Sequence, residues 1–152
     1  MRYLIKNWLP VLGWMAFIFT ASTDIGSSQH TSRYIGPFLR WFNPNVSEET
    51  IHLVQVVVRK GGHLSEYGLL AILILRALGF SQKNAVSWSS RAAGQAFGLT
   101  VFYACTDEFH QLYVPSRDAS ICDVLIDSSG AFIALLLIWG WRHFSTKSRL
   151  TA

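Results

Sequence analysis

Between Thr106 and Asp127 the chain reads TDEFHQLYVPSRDASICDVLID, which sets five acids, one His, one Gln and one Arg between two long apolar runs. Upstream, KGGHLSEYGLLA (residues 60–71) adds Lys60, His63, Glu66 and Tyr67. These residue types allow three kinds of chemistry. Lys60 and Arg117 could bind a phosphate or carboxylate, the arginine through a bidentate fork. Asp107 or Glu108 beside His63 or His110 could move a proton. Asp107, His110, Asp123 and Asp127 could hold a hard divalent cation, although their spacing matches no metal motif such as HExxH. No Ser-His-Asp order stands out, and KGGH is too short to be a phosphate-cradling glycine loop. The candidates for catalysis are therefore His63, Asp107, Glu108 and Asp123. Those for substrate binding are Lys60, Tyr67, Gln111 and Arg117. No metal ligand and no cofactor is assigned, with a divalent cation as the alternative.

Each residue also has a purely structural explanation. Asp123, three positions after Ser120, could complete a capping pair. Lys60 could snorkel, and Glu66 and Glu108 could be solvated rim charges. Tyr67 and Tyr103 could be interface aromatics. Arg117 could pair with Asp118 or Asp123. These explanations work one residue at a time. They do not account for the set, because helix ends do not need Lys, His, Asp, Glu, Gln and Arg together.

The elements that must position these groups follow from composition. Of 152 residues, 51% are apolar and only 14% are Asp, Glu, Lys or Arg, with six Trp and a mean hydropathy of +0.29. A soluble domain carries about one-quarter charged residues, so the balance points to a small membrane protein of one domain, residues 1–152. The first apolar run is WLPVLGWMAFIFTA (residues 8–21), extended by Tyr3-Leu4-Ile5 to the length needed to cross about 30 Å of hydrocarbon. A cleavable signal peptide is disfavoured because no small-x-small site followed by a soluble domain comes next. SRYIGPFLRWF is either an amphipathic piece at the interface, with Tyr34, Phe38, Trp41 and Phe42 toward lipid, or a loop broken at Gly36-Pro37. Ser47 is a good N-cap for a second helix with Glu48 and Glu49 in its first turn. That helix reaches Leu78, kinked at Gly61-Gly62, with Gly79 as its C-cap. Residues 92–114 form a third span and residues 120–142 a fourth. The expected fold is all-α: a polytopic bundle of four transmembrane helices, with a short interfacial segment between helices 1 and 2.

At about 100° per residue, Lys60, His63 and Tyr67 fall within about 60° of each other, with Glu66 about another 60° away. Tyr103, Asp107, His110 and Gln111 share a face of the third helix, and Glu108 points about 100° from Asp107. Ser120, Asp123 and Asp127 share a face of the fourth, continued by Gly130. Ionisable groups at membrane depth normally face the protein interior or water. The three stripes are therefore expected to meet in one pocket.

Four spans set both termini and the 79–91 connection on one side, with Arg2, Lys6, Arg76, Lys83, Arg91, Arg142, Lys147 and Arg149 and no acid. The other side has Arg33, Arg40, Arg59, Lys60 and Arg117 and all nine acids, including Asp24 and Asp118. The positive-inside rule then makes the termini cytoplasmic and the pocket outward-facing, with Trp8, Trp88, Trp139 and Trp141 near the inner boundary. The pI near 9.3 reflects this orientation and contact with anionic lipid, and nucleic acid is not an expected partner. Cys105 and Cys122 are too few for a disulfide framework.

The chain resembles the VanZ-like family in KGGHLSEYGLLA and in DEFHQLYVPSRDASICDVLIDSSGA (residues 107–131). The family's Lys-x-x-His-x-x-x-Tyr pattern is matched by Lys60, His63 and Tyr67. Its Asp-Glu-x-x-Gln is matched by Asp107, Glu108 and Gln111, the Arg of the connecting turn by Arg117, and the following Ser and Asp by Ser120 and Asp123. Asp127 stands where Asn is common, and Ser116 where Gly commonly precedes the Arg. The polar end of the first span, residues 20–23, is similar to a Ser-containing pattern of the family. The founding member is linked to resistance to teicoplanin, a lipid-tailed glycopeptide. The resemblance implies a multi-pass protein of the bacterial plasma membrane whose outer pocket binds or acts on an amphiphilic or lipid-linked headgroup. A small transporter or flippase subunit and a structural interaction protein are the alternatives. Transport needs polar groups through the full depth, and residues 69–75, 97–102 and 131–139 are nearly free of them.

Overall fold

The computed structural model describes residues 2–23, 28–80, 89–115, 117 and 119–150, with side chains for 5–23, 33–79, 89–115, 117 and 119–144. The side chains of Arg2, Asp24, Lys83, Trp88, Ser116, Asp118, Lys147 and Arg149, used above for orientation or motif, lie outside the described residues. The described elements are α1 (Arg2–Ala21), α2 (Ser28–Phe42), α3 (Glu48–Leu75), α4 (Ser90–Gln111) and α5 (Ile121–Leu150), with a π-helical turn (Arg76–Phe80) after α3. Among the described residues there is no strand, as the all-α expectation requires.

Local chemistry sets the boundaries. Ser47 caps α3 by accepting the Thr50 N–H at 3.2 Å, and Ser89 caps α4 by accepting the Ala92 N–H at 3.2 Å. Gly79, at φ 100, ends the turn after α3, a left-handed conformation that costs a side-chain-bearing residue energy. The helix runs unbroken through Gly61-Gly62. Residues 28–42 are helical through Gly36-Pro37 rather than forming a loop. The Tyr34, Phe38, Trp41 and Phe42 rings are exposed, and the opposite side of α2 lies on the first turns of α3 through Gly36 and Ile51 and an Arg40–Glu48 ion pair.

α3 is the central element. Its contacts with α5 advance in step: Lys60 with Asp123, His63 with Asp127, Leu64 with Gly130, and Gly68 with Gly130 and Ala134. The two helices therefore run in the same direction. A Cβ on Gly130 would lie 2.1 Å from the Leu64 carbonyl oxygen, so only glycine permits this approach. Small residues at such crossings let backbones meet at van der Waals distance. α1 runs beside α4 in the same sense, since Tyr103 donates to the Met15 carbonyl at 2.7 Å and Ser22 reaches Asp107. Trp14 donates to the Glu66 carbonyl at 2.9 Å, tying α1 to α3. The C-terminal ends of α1 and α4 thus meet the start of α5 and the middle of α3 at one polar end. At the other end Ala71, Ile74 and Leu75 pack with Ala93, Ala96, Ala131 and Leu135. Among the described residues, Ile121–Phe144 is the helical segment long and apolar enough to cross a membrane by length and composition.

Candidate functional site

The shared direction of α3 and α5 turns two sequence stripes into a ladder. Lys60 Nζ donates to Asp123 Oδ1 at 3.2 Å, with the lysine near the surface and the aspartate buried. One turn deeper, His63 Nδ1 and Asp127 Oδ1 are 3.2 Å apart, and Asp127 is fully buried. An ionised Asp127 accepts here from a proton on Nδ1, the tautomer in which a neutral His63 has Nε2 as its basic nitrogen. Asp127 Oδ2 has no hydrogen-bond partner in the protein.

A second buried group forms where α4 ends. Asp107 Oδ2 accepts from Ser22 Oγ at 2.7 Å and from Gln111 Nε2 at 3.1 Å. Asp107 Oδ1, Gln111 Oε1 and the Tyr67 hydroxyl are buried without a hydrogen-bond partner. Tyr67 nonetheless lies close enough to Asp107 to feel its charge, and its ring is 6.2 Å from that of Tyr103. Leaving a buried polar atom unpaired costs about 1–3 kcal/mol, so stability alone does not explain a cluster of them.

Two of the expected site residues hold the scaffold. Glu108 Oε2 accepts the Ser120 N–H at 2.8 Å, which sets a carboxylate at the start of α5 and fastens α4 to it. Ser120 Oγ accepts the Cys122 N–H at 3.2 Å, so the serine caps α5 while the Asp123 carboxylate turns to Lys60. Arg117 donates through Nε and Nη2 to the Thr23 carbonyl, at 3.2 and 3.1 Å, and through Nη2 to the Ala21 carbonyl. It therefore caps the C-terminal end of α1, where the helix dipole favours a cation. The residue is only 8% exposed. Burial lowers its pKa most, and the like charge of Arg59 lowers it further.

Between the end of α1, α2 and α3 lies a cleft of about 210 Å³, lined among others by Ser22, Gln55, Arg59, His63, Glu66 and Arg117. Of the eight expected site residues, His63 and Arg117 line it. Asp127 and Asp123 stand behind His63 on α5, and Asp107, Gln111 and Tyr67 form the buried group reached through Ser22. His110 instead packs its ring against Phe19, centroids 4.3 Å apart. Ser22, Gln55, Arg59 and Glu66 in the cleft and Asp127 behind His63 are not among those eight. Ser22 is signalled only by the polar end of the first run. Arg59 carried a clearer signal, because residues 59, 63 and 66 fall on one helix face at i, i+4 and i+7. Among the described residues no three of His, Cys, Asp and Glu gather so as to hold a metal ion. Asp107, Asp123 and Asp127 each face a different hydrogen-bond partner. Cys105 and Cys122 are both free and exposed.

The motif residues thus come together in space at one end of the bundle. The model of the VanZ/LLP1 family matches residues 7–142, which takes in most of α1, the cleft and most of α5. Neither a curated protein nor a solved structure matches the chain. With the family model spanning most of its length, this chain belongs to the VanZ/LLP1 family.

Proposed function

We propose that this chain is a multi-pass protein of the bacterial plasma membrane, crossing it four times through α1, α3, α4 and α5, with both termini cytoplasmic. The polar end faces outward and binds an amphiphilic or lipid-linked headgroup, and α2 lies in the outer interface on its aromatic face. Support comes from the large apolar side chains exposed around the bundle, such as Phe102 at 69% and Leu137 at 68%, which suit hydrocarbon better than water. A second support is the alternation of helix directions, which puts every polar stripe at the same end.

The observation that carries the functional reading is the His63–Asp127 pair opening onto the cleft, with the partly unpartnered Asp107 group beside it. Asp127 orients the ring, and His63 Nε2 takes a proton from a headgroup hydroxyl or from water in the cleft. Asp107, with Tyr67 and Gln111, completes the proton-accepting wall, while Lys60 holds Asp123 in place at the rim. By its family, the phenotype to examine is teicoplanin-type glycopeptide resistance. The test is a deletion strain complemented with His63→Ala, Asp107→Asn or Arg117→Ala, read by teicoplanin susceptibility, lipidomics and envelope-precursor profile. Loss of function at normal protein level and insertion supports the reading. Full function in all three removes the pocket as the site.

A structural reading also has an observation behind it. Glu108 and Arg117 are engaged in clamps to Ser120 and to the end of α1. Interhelical hydrogen bonds in membranes average about 0.6 kcal/mol, so a lock built this way is weak for its cost. If the three substitutions lower thermal stability in detergent in parallel with function, the lock is the better account.

A further inference from the structure

We propose that Arg59 and Arg117 together seat a phosphate-type oxyanion in the cleft beside His63, and that Glu66 takes a hydrogen-bond donor of the same headgroup. This rests on the cleft being the headgroup site and names the chemistry it selects.

Among the described residues Arg59 has no ion pair and no hydrogen bond, although its neighbour Lys60 is paired with Asp123 and Arg40 with Glu48. Arg117 is the other cation of the cleft. Its Nε and Nη2 are engaged with the carbonyls of Ala21 and Thr23, and Nη1 takes part in none of those contacts. Carbonyls satisfy donors but do not neutralise charge, so two guanidiniums share one cleft and repel; the like charge of Arg59 is felt at Arg117, against the opposite charges of Asp107, Glu108 and Glu66. An oxyanion between them converts that repulsion into charge-assisted hydrogen bonds, which the planar guanidinium fork forms especially well with phosphate. The cleft, at about 210 Å³, is several times the roughly 30 Å³ one water occupies in the liquid. The Glu66 side chain lines the same cleft, and its carboxylate has no hydrogen bond or ion pair among the described residues, its backbone carbonyl alone accepting from Trp14. A bare dianion would meet its charge, whereas a phosphodiester bearing an ammonium or hydroxyl satisfies both arginines and the carboxylate. The phosphoethanolamine headgroup of a lipid has this chemistry, and glycerophosphoethanolamine carries the same phosphodiester free in solution.

The test uses the purified full chain in detergent, with phosphatidylethanolamine and soluble glycerophosphoethanolamine as separate probes and binding read by native mass spectrometry. Arg59→Gln is expected to weaken binding roughly ten- to hundredfold, the effect of losing a hydrogen bond to a charged group. Arg59→Lys should recover part of it, because the charge stays and the fork goes. Arg40→Gln, outside the cleft, should change it by less than about twofold. Binding of the lipid alone assigns a membrane source, and equal binding of the soluble probe assigns a free phosphoester. If Arg59→Gln does not yield monodisperse protein, Arg59→Lys carries the comparison. Unchanged affinity in the arginine variants overturns the proposal. If His63→Ala is then still inactive in the complementation assay, only the anion seat falls. If His63→Ala is active as well, the headgroup reading falls with it.

Discussion

The two ends of the bundle are held by different chemistry. At the apolar end α3, α4 and α5 meet through Ala71, Ile74, Leu75, Ala93, Ala96, Ala131 and Leu135, and the buried Thr100 hydroxyl is satisfied by its own helix at the Ala96 carbonyl. At the polar end helices are joined by Lys60–Asp123, His63–Asp127, Ser22–Asp107, Glu108–Ser120 and the Arg117 cap on α1. Among the described residues every buried side-chain polar atom left without a hydrogen-bond partner is at this end, on Tyr67, Asp107, Glu108, His110, Gln111 or Asp127. The apolar end leaves no such atom among the described residues. The polar end accepts a cost in stability, as sites of binding and proton transfer commonly do.

The Gly130–Leu64 crossing serves both ends, so breaking it should have the largest effect. Gly130→Leu is expected to separate α3 from α5 and to destabilise by about 3 kcal/mol or more, seen as loss of monodisperse protein and a lower unfolding temperature in detergent. A stable variant would mean that the ends do not depend on one contact. Asp127→Asn should divide the two kinds of end. Function is expected to fall about a hundredfold or more through loss of the oriented base, with unfolding temperature shifted by only a few degrees; a parallel loss of both would make the polar end a packing device. Leu135→Ala is the converse at the apolar end, expected to cost about 2 kcal/mol while headgroup affinity is unchanged. Glu108→Gln keeps an oxygen for the Ser120 N–H and should cost about 1 kcal/mol or less. Full function would keep Glu108 as a clamp, and loss of function at native stability would place it in the chemistry. Smallest of all, Cys105→Ser and Cys122→Ser should each stay within about 0.5 kcal/mol, measured by the same unfolding assay.

Much of the fold was legible because it is local. Ser47 and Gly79 mark the ends of a helix by their own backbone preferences, and stripes such as 60–63–67 and 123–127–130 follow from helical spacing. The α2 segment was only half legible, because Gly36-Pro37 argues for a break against the amphipathic spacing of its aromatics. Contact with Ile51 and the Arg40–Glu48 pair hold it along α3 instead. Nor does the Gly61-Gly62 pair interrupt α3: it lowers the helix propensity, yet the helix is continuous on both sides of it.

By itself the sequence determined an all-helical chain, its family, and the polar residues at the ends of its helices, since period, capping and motif spacing are properties of neighbouring residues. Only the tertiary structure decided which of them meet. It gave Lys60 to Asp123 and left Arg59 for the cleft, set His63 on Asp127, brought Ser22 to Asp107, and turned Arg117 onto α1 and Glu108 onto α5. Those pairings depend on the direction of α3 relative to α5 and on an approach at Gly130 close enough to exclude a single Cβ, and no local preference encodes either.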